Sequence, residues 1–367
     1  MLSEVAVLEG HVEDRVWHVS WSSDGTHLAS CGEDKVIRIW TSNETNDWHK
    51  GGYCVCTLEE ETQTRTIRSC EWSPDNRKIA SASFCGVVSI WETHSANRSV
   101  WEQIASLEGH ENEVKSISWS GDGRFLASSG RDKKIWLWED MEGAEFECVC
   151  ILEGHTQDVK FVRWHPNEDI LFSASYDDTI KIWREDGEDW FCADTLVGHT
   201  STVWGLCLNR KGDLLVSCSD DLSLLVWKHN DEKSTNLEKW ESYALLHAAH
   251  SQPIYSIDWN IFTSIVASGG GDNSIVLSAL DEEEDKGGDG HARSLRMIER
   301  VRGVHDGDVN CVRYYLIPEV KVIAALLYIL YIRWNNSRKS HSRYLASCGD
   351  DGLVKIWELQ STVYDCI

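Results

Sequence analysis

Proline is scarce in this chain, with 4 among 367 residues. So little proline leaves strand ladders uninterrupted, because proline cannot donate to a sheet. Basic charge is also short: 35 Lys and Arg stand against 60 Asp and Glu, a net charge of −25. That balance argues against binding by phosphate neutralisation, which needs clustered Lys and Arg. It fits basic or neutral partners and says nothing about fold. No charged-then-apolar opening resembles a signal peptide. The apolar run Val322 to Ile332 falls short of the about 20 residues a membrane helix needs. The 13 cysteines form no C-x₂-C array. Spread through a long chain, mostly inside strand patterns, they suit reduced thiols in the cytosol better than a disulfide framework.

What is abundant is repetition. Trp21, Trp72, Trp119, Trp164, Leu208 and Trp259 each end a short strand pattern, and nine residues later stand Ser30, Ser81, Ser128, Ser173, Ser217 and Ser268. A turn acid follows in most copies, and then Trp40, Trp91, Trp138, Trp183 and Trp227; a seventh copy ends with Ser347, Asp351 and Trp357. In the third unit, Val114, Ser116 and Ser118 alternate with Lys115, Ile117 and Trp119, the period of a strand. Gly121-Asp122-Gly123 marks a tight turn into Phe125–Ser128, and Arg131-Asp132 turns again into Ile135–Trp138. A fourth, more variable strand is expected near Glu147–Ile151. Each unit has the length of one propeller blade and cannot bury its apolar face alone.

This pattern resembles the WD repeat over nearly the whole chain. The resemblance implies an all-β fold: a seven-bladed propeller of four-stranded antiparallel blades, a single domain over 1–367. It also implies a polar network of His, Ser, Asp and Trp in each blade. The histidines match at His11, His110, His155, His199, His250 and His305, and the acids at Asp34, Asp132, Asp177, Asp221, Asp272 and Asp351. Unit two departs with Gln63 and Cys85, and unit six with Ser278, so those blades should be less firmly tied. Six copies of His, Ser and Asp do not read as a catalytic triad, since one enzyme has no use for six active sites. The sets such as His110, Ser128, Asp132 and Trp138, or His155, Ser173, Asp177 and Trp183, brace blades. Glu4 to Leu8 precede the first His and are expected to close the ring as the outer strand of the blade ending at Trp357.

Recognition should lie on the face formed by turns before the first strand and after the second. Trp17, Arg68, Lys115, Lys160, Trp204, Tyr255 and Asn310 occupy one position of the repeat there, and Glu33, Phe84, Arg131, Tyr176, Asp220, Gly271 and Asp350 another. Large aromatics and Arg at such places suit docking of a peptide or protein.

Segments outside the repeat consensus carry a closer resemblance. TRTIRSCEWSPDNRKIASASF, SGRDKKIWLWE, GHTQDVKFVRWHP and HSQPIYSIDW are similar to the cytosolic iron–sulfur protein assembly WD-repeat family. The resemblance implies a non-enzymatic adaptor of the complex that delivers iron–sulfur clusters to cytosolic and nuclear apoproteins. Implied partners are an iron-only-hydrogenase-like carrier, a small acidic adaptor subunit, a helical-repeat client receptor and client apoproteins, which often end in an aromatic residue. It implies no cofactor of its own, no nucleic acid, no membrane, and a cytoplasmic location with the nucleus as a second site. Arg131 in GRDKK matches the family's functional surface arginine, suited to bidentate pairing with a carboxylate. Trp17, Arg68, Tyr176, Trp204 and Tyr255 complete the expected docking set, with Trp17, Trp204 and Tyr255 placed to receive an aromatic anchor. Where animal relatives carry a Leu-Tyr-Arg triplet linked to cochaperone recruitment, this chain has Ile182-Trp183-Arg184, a departure that puts that activity in doubt. The fold alone also fits a substrate receptor of a ubiquitin ligase or a chromatin adaptor.

Three further features stand out. Cys54-Val55-Cys56 and Cys148-Val149-Cys150 are C-x-C pairs on fourth strands. Strand alternation puts both sulfurs of a pair on one face, but their spacing around the ring favours small buried hydrophobes over metal ligands. The acidic, Gly-rich stretch 281–290 and the connection Asn230 to Asn236 read as solvated loops. Finally, the seventh unit is interrupted. Removing the twenty residues Tyr314 to Arg333 would bring Trp334 to the strand-ending position. Their content suits a translated intron, Arg313 and Arg333 supplying its borders; the alternative is a genuine apolar insertion that leaves the blade as an excursion.

Overall fold

In the computed structural model the described residues are 2–11, 14–42, 47–59, 64–95, 97–141, 145–187, 189–230, 239–260, 263–280, 294–315 and 344–359. They form seven four-stranded antiparallel sheets arranged as blades around an axis. Six sheets are consecutive meanders, from Val16–Leu58 in blade one to Ile254–Arg302 in blade six. The seventh joins Val309–Tyr314, Tyr344–Gly349 and Leu353–Leu359 to the N-terminal strand Leu2–Glu9, which pairs antiparallel with Leu353–Leu359. Glu4 to Leu8 thus close the ring as expected, and the blade's edge is covered by the chain's own start.

Local chemistry explains the hairpins. Blade three turns at Gly121–Gly123, where Gly123 has φ +79°, a left-handed conformation glycine adopts without steric cost. Asp122 caps the same turn, accepting from Ser120 Oγ (2.6 Å) and Arg124 N (3.0 Å). The expected in-and-out alternation of Val114–Trp119 is not seen: all but Lys115 are buried. First strands lie innermost, packed on both sides, and their register shifts between Val114 and Ser116. Comparable shifts recur between Val16 and His18 and between Val309 and Cys311. Such β-bulges re-aim side chains, here Lys115 and its counterparts, toward the axis.

Between blades, each apolar face packs on the next. One cluster joins Phe125, Ile135, Leu137 and Leu152 of blade three to Trp164, Leu171 and Trp183 of blade four. The polar network ties strands within each blade. In blade four, Trp183 Nε1 donates to Ser173 Oγ (2.8 Å), whose oxygen lies 2.7 Å from His155 Nε2, while His155 Nδ1 lies 2.9 Å from Asp177. Blade three repeats it with Trp138, Ser128, His110 and Asp132 at 2.9, 2.8 and 2.7 Å. Ser donating to Nε2 and Nδ1–H donating to the carboxylate is one arrangement that satisfies every member. Burial alone would raise the Asp132 and Asp177 carboxyls, but the histidine hydrogen bonds hold both below the usual range.

Blades two and six are tied less well, as their sequences indicate. In blade two, Trp91 Nε1 is buried without a partner, and among the described residues Ser81 Oγ reaches only the Ser89 carbonyl, at 3.4 Å; Gln63 lies outside the described residues. In blade six, His250, Ser268 and Asp272 still connect, but Ser278 leaves its hydroxyl buried and unpartnered where a tryptophan would donate.

Blade seven pairs Tyr314 with Leu345 just as blade one pairs Trp21 with Leu28. Tyr314 and Tyr315 are both buried, Tyr315 standing edge-on to Trp21 at 5.2 Å. Of the interrupting segment Tyr314 to Arg333, residues 316–333 lie outside the described residues, as do 281–290 and most of Asn230 to Asn236. Among the described residues no helix is long and apolar enough to cross a membrane.

Candidate functional site

The bulged first strands bring one side chain per blade to the mouth of the axial channel. Trp17, Arg68, Lys115, Lys160, Trp204, Tyr255 and Asn310 all line a cavity of about 390 Å³, joined by Arg15, Phe84, Asp308 and Asp350. Four of the expected docking residues, Trp17, Arg68, Trp204 and Tyr255, therefore meet in one space. Arg131 and Tyr176 stand on the rim, each more than half exposed.

The lining is two-signed. On blades two to four, Arg68 stacks on Trp17 with its guanidinium carbon 5.0 Å from the ring. Lys115 Nζ sits 4.1 Å from the Phe84 ring, and Lys160 Nζ lies 5.1 Å from both Tyr176 and Trp204. Cations placed over aromatic faces keep their charge while shedding water. On the opposite side are Asp220, Asp308 and Asp350. Trp204 Nε1 donates to Asp220 (2.5 Å) and Asn310 to Asp350 (2.9 Å). Burial, reinforced by Asp308 and Asp220, pushes the Tyr255 hydroxyl up to about 12. Burial and the nearby Asp350 likewise raise Asp308. Trp204 and Tyr255 meet edge to face at 5.5 Å, a rigid aromatic corner between the two halves.

Glu113 organises the rim, a role the sequence did not reveal. Its carboxylate accepts from Lys115 Nζ (2.6 Å) and Arg65 Nη2 (2.8 Å) and lies 3.8 Å from Arg131 Nη1. One acid thus holds three cations, leaving a local positive excess in a strongly acidic chain. Burial alone would raise Glu113, but Lys115 and Arg65 hold it below the usual range. Arg131, 57 % exposed and 3.8 Å from the one acid it pairs with among the described residues, retains most of its donors for another group.

Below the mouth the channel narrows to about 20 Å³ beside His18, Ser69, Phe161, Ser256 and Arg313, room for about one water. A belt of alternating charge crosses it there. Arg163 Nη1 donates to Glu71 (3.3 Å), and its Nη2 lies 3.7 Å from Asp258. Glu71 also accepts from Trp119 N (3.2 Å) and Asp258 from Tyr314 N (2.8 Å). Arg313 donates to His18 Nε2 (3.0 Å), whose Nδ1 donates to the Cys70 carbonyl (2.9 Å). Burial raises the Glu71 and Asp258 carboxyls, opposed chiefly by Arg163 at Glu71 and by Arg313 with Arg163 at Asp258. The signal in the sequence was a single column: Glu71, Arg163, Asp258 and Arg313 each stand immediately before a strand-ending aromatic.

The C-x-C pairs correct an expectation. Cys54 and Cys148 are exposed, and Cys56 and Cys150 only partly buried. Nor do the sulfurs of a pair share a face. A bulge lies between the partners of each pair, so that Cys148 faces Trp138 and Cys150 faces Leu137, residues packed against blades two and four respectively. The same holds for Cys54 opposite Trp40 and Cys56 opposite Ile39. Among the described residues, no group of three or more His, Cys, Asp or Glu is arranged to hold a metal. Trp183, in the triplet Ile182–Arg184, is spent on the blade-four network.

The WD domain, G-beta repeat family matches residues 2–41, 52–92, 101–139, 146–184, 190–228, 243–277 and 339–358. Over 98 % of its length the chain is 41 % identical to a Chlamydomonas reinhardtii protein, of which it covers 99 %, named probable cytosolic iron-sulfur protein assembly protein CIAO1 homolog. A Caenorhabditis elegans protein of the same name is 36 % identical over 96 % of this chain and 97 % of its own. In Vanderwaltozyma polyspora a probable cytosolic iron-sulfur protein assembly protein 1 is 35 % identical, covering 97 % and 99 %. A WD-repeat propeller with these full-length relatives belongs to the cytosolic iron–sulfur protein assembly family.

Proposed function

We propose that the protein is a non-enzymatic adaptor that docks cluster carriers and client apoproteins so that iron–sulfur clusters reach cytosolic and nuclear proteins. The observation that carries the docking reading is the mouth of the channel. Side chains that occupy one repeat position diverge there in chemistry while converging in space, Trp17, Arg68, Trp204 and Tyr255 within one cavity. Core positions, by contrast, repeat the same residue types from blade to blade. Side chains released from packing and set on a rigid ring are suited to recognition.

Each residue has a distinct part in this reading. Arg131 offers a planar fork to a partner carboxylate, and Glu113 aims it without consuming its donors. Tyr176, 55 % exposed, extends the aromatic surface outward from Lys160. The Trp204–Tyr255 corner receives an apolar or aromatic side chain, and Asp308 and Asp350 orient the polar end of the same segment. The partners are the other cytosolic assembly proteins, namely the iron-only-hydrogenase-like carrier, the small adaptor subunit and the helical-repeat receptor, together with clients. The chain works in the cytoplasm, with the nucleus as a second site, and binds neither membrane nor nucleic acid directly.

Affinity purification of the tagged chain from cell extract tests this. Recovery of the cluster-assembly proteins with the wild type, and their loss with Arg131→Glu, is the expected result. Recovery of a ubiquitin-ligase core or chromatin proteins in their place would move the chain to another pathway. Unchanged recovery with Arg131→Glu would remove that residue from the interface.

A further inference from the structure

Three cations line the mouth at the same position of consecutive blades, but they are not equivalent. Lys115 is neutralised by Glu113 at 2.6 Å and Lys160 by Asp158 at 3.1 Å. Arg68 has no carboxylate within ion-pair distance among the described residues. It donates one long hydrogen bond, 3.5 Å to the Trp17 carbonyl, and its guanidinium carbon lies 5.0 Å from the centre of the Trp17 ring. A guanidinium has five N–H donors, and among the described residues the Trp17 carbonyl is the one protein acceptor found for them. Arg68 also lines both the 390 Å³ mouth and the 20 Å³ neck beneath it, so it stands at the floor where the belt closes the channel.

An uncompensated cation in a half-buried setting is costly to a fold and is seldom retained for stability alone. The whole chain carries −25, so no general field draws anions to it. Arg68, with Lys115 and Lys160 beside it, is a local exception enclosed by aromatic walls. We infer that the channel mouth is an anion-binding site in which one oxyanion, a carboxylate or a phosphate, seats bidentately on Arg68 with Lys115 and Lys160 flanking it. Trp17 packs beside the guanidinium, and the narrow floor stops the anion passing through. Burial lowers the Arg68 basicity, as expected for a charge awaiting its counterion.

The inference rests on the docking reading only for location: it supplies the chemistry of the group that enters. That group is either a free small anion or a carboxylate borne by a docked segment, and the two arms of one experiment separate these sources. Thermal unfolding of the purified full chain is followed while inorganic phosphate is titrated against chloride at constant ionic strength. A parallel titration uses a blocked glutamyl peptide amide, and both are repeated on Arg68→Met. Ligand that binds only the folded state raises the midpoint in a saturable way. The wild type should respond to at least one anion, and Arg68→Met should bind it about tenfold more weakly or worse. A response to phosphate assigns a free anion, and a response to the peptide alone assigns a docked segment. Without ligand, Arg68→Met should be as stable as the wild type or more so, because it removes an unpaired charge. Equal responses of the two proteins, no saturable response at all, or a marked loss of stability in unliganded Arg68→Met would each overturn the assignment. Small anions and purified chain keep this outcome separate from partner recovery, so either reading can fail alone.

Discussion

Arg163→Met tests whether the charged belt ties distant blades across the channel. Arg163 reaches Glu71 of blade two at 3.3 Å and Asp258 of blade six at 3.7 Å, with side chains 29, 19 and 11 % exposed. At an effective dielectric of about 20, each contact contributes about 4–5 kcal/mol gross. Desolvating the guanidinium offsets several kcal/mol of that, so the larger loss comes from two carboxylates left in a confined channel. Both keep one backbone donor, Trp119 N and Tyr314 N, which places the expected cost near the low end for a broken buried pair, about 3 kcal/mol. The pH dependence identifies the cause. Glu71 and Asp258 already have raised pKa values in the fold, and losing Arg163 raises them further. A carboxyl raised in the folded state makes stability fall as pH climbs from its unfolded pKa through its folded one. The penalty should therefore be largest near pH 8 and shrink toward pH 5. Urea unfolding of both proteins across that range measures it from the midpoint and slope. Glu71→Gln combined with Arg163→Met should recover part of the loss and flatten its pH dependence. A penalty below about 0.5 kcal/mol, or one that does not change with pH, would show that the belt is mere proximity.

Asp177→Asn should cost about 1.5–3 kcal/mol at neutral pH, the range for a hydrogen bond involving a charged group. Asp177 is depressed in the fold by His155 and Thr179, so its contribution is present above the unfolded carboxyl pKa and disappears as pH falls through the acid range. The difference between the proteins in acid titrations followed by circular dichroism should narrow accordingly. Trp183→Phe removes a bonded indole N–H and should cost about 1 kcal/mol more than Trp91→Phe, whose indole has no partner; equal losses in chemical denaturation would contradict the network account. Transcripts should join codon 313 to codon 334, omitting Tyr314 to Arg333. The joined chain places Asn335 where Asn209 and Asn260 cap the following turn, Asn209 accepting from Gly212 N at 2.9 Å and Asn260 from Thr263 N at 3.2 Å. Continuous reads through the segment from several tissues would sink that idea.

The repeat made most of the fold legible because its strand ends, serines and tryptophans recur at fixed spacing. Even the ring closure followed from Glu4 to Leu8 having no blade of their own. Bulges were not legible. They shift register without changing residue type, so the C-x-C sulfurs parted to opposite faces, while the innermost strand lost its alternation because it is packed on both sides. Equally hidden were contacts between remote columns: Glu71 and Arg163 are 92 residues apart, and Glu113 meets Arg65 48 residues away. Trp48 shows a third limit. It opens a short 3₁₀ turn in the connection between two strands, yet it is fully buried beside Trp21, closing the seam between blades one and seven. Irregular connections carry no period, so only the fold shows what they cover.

Replacement of the resident family member in living cells tests the adaptor account most directly. Cells depleted of their own protein receive this chain, or this chain with Arg131→Glu, and radiolabelled iron is followed into immunoprecipitated cytosolic iron–sulfur enzymes. The account predicts restored incorporation with the wild type and a marked deficit with Arg131→Glu at equal protein level and equal thermal stability. Full incorporation with Arg131→Glu, or none with the wild type, would contradict it.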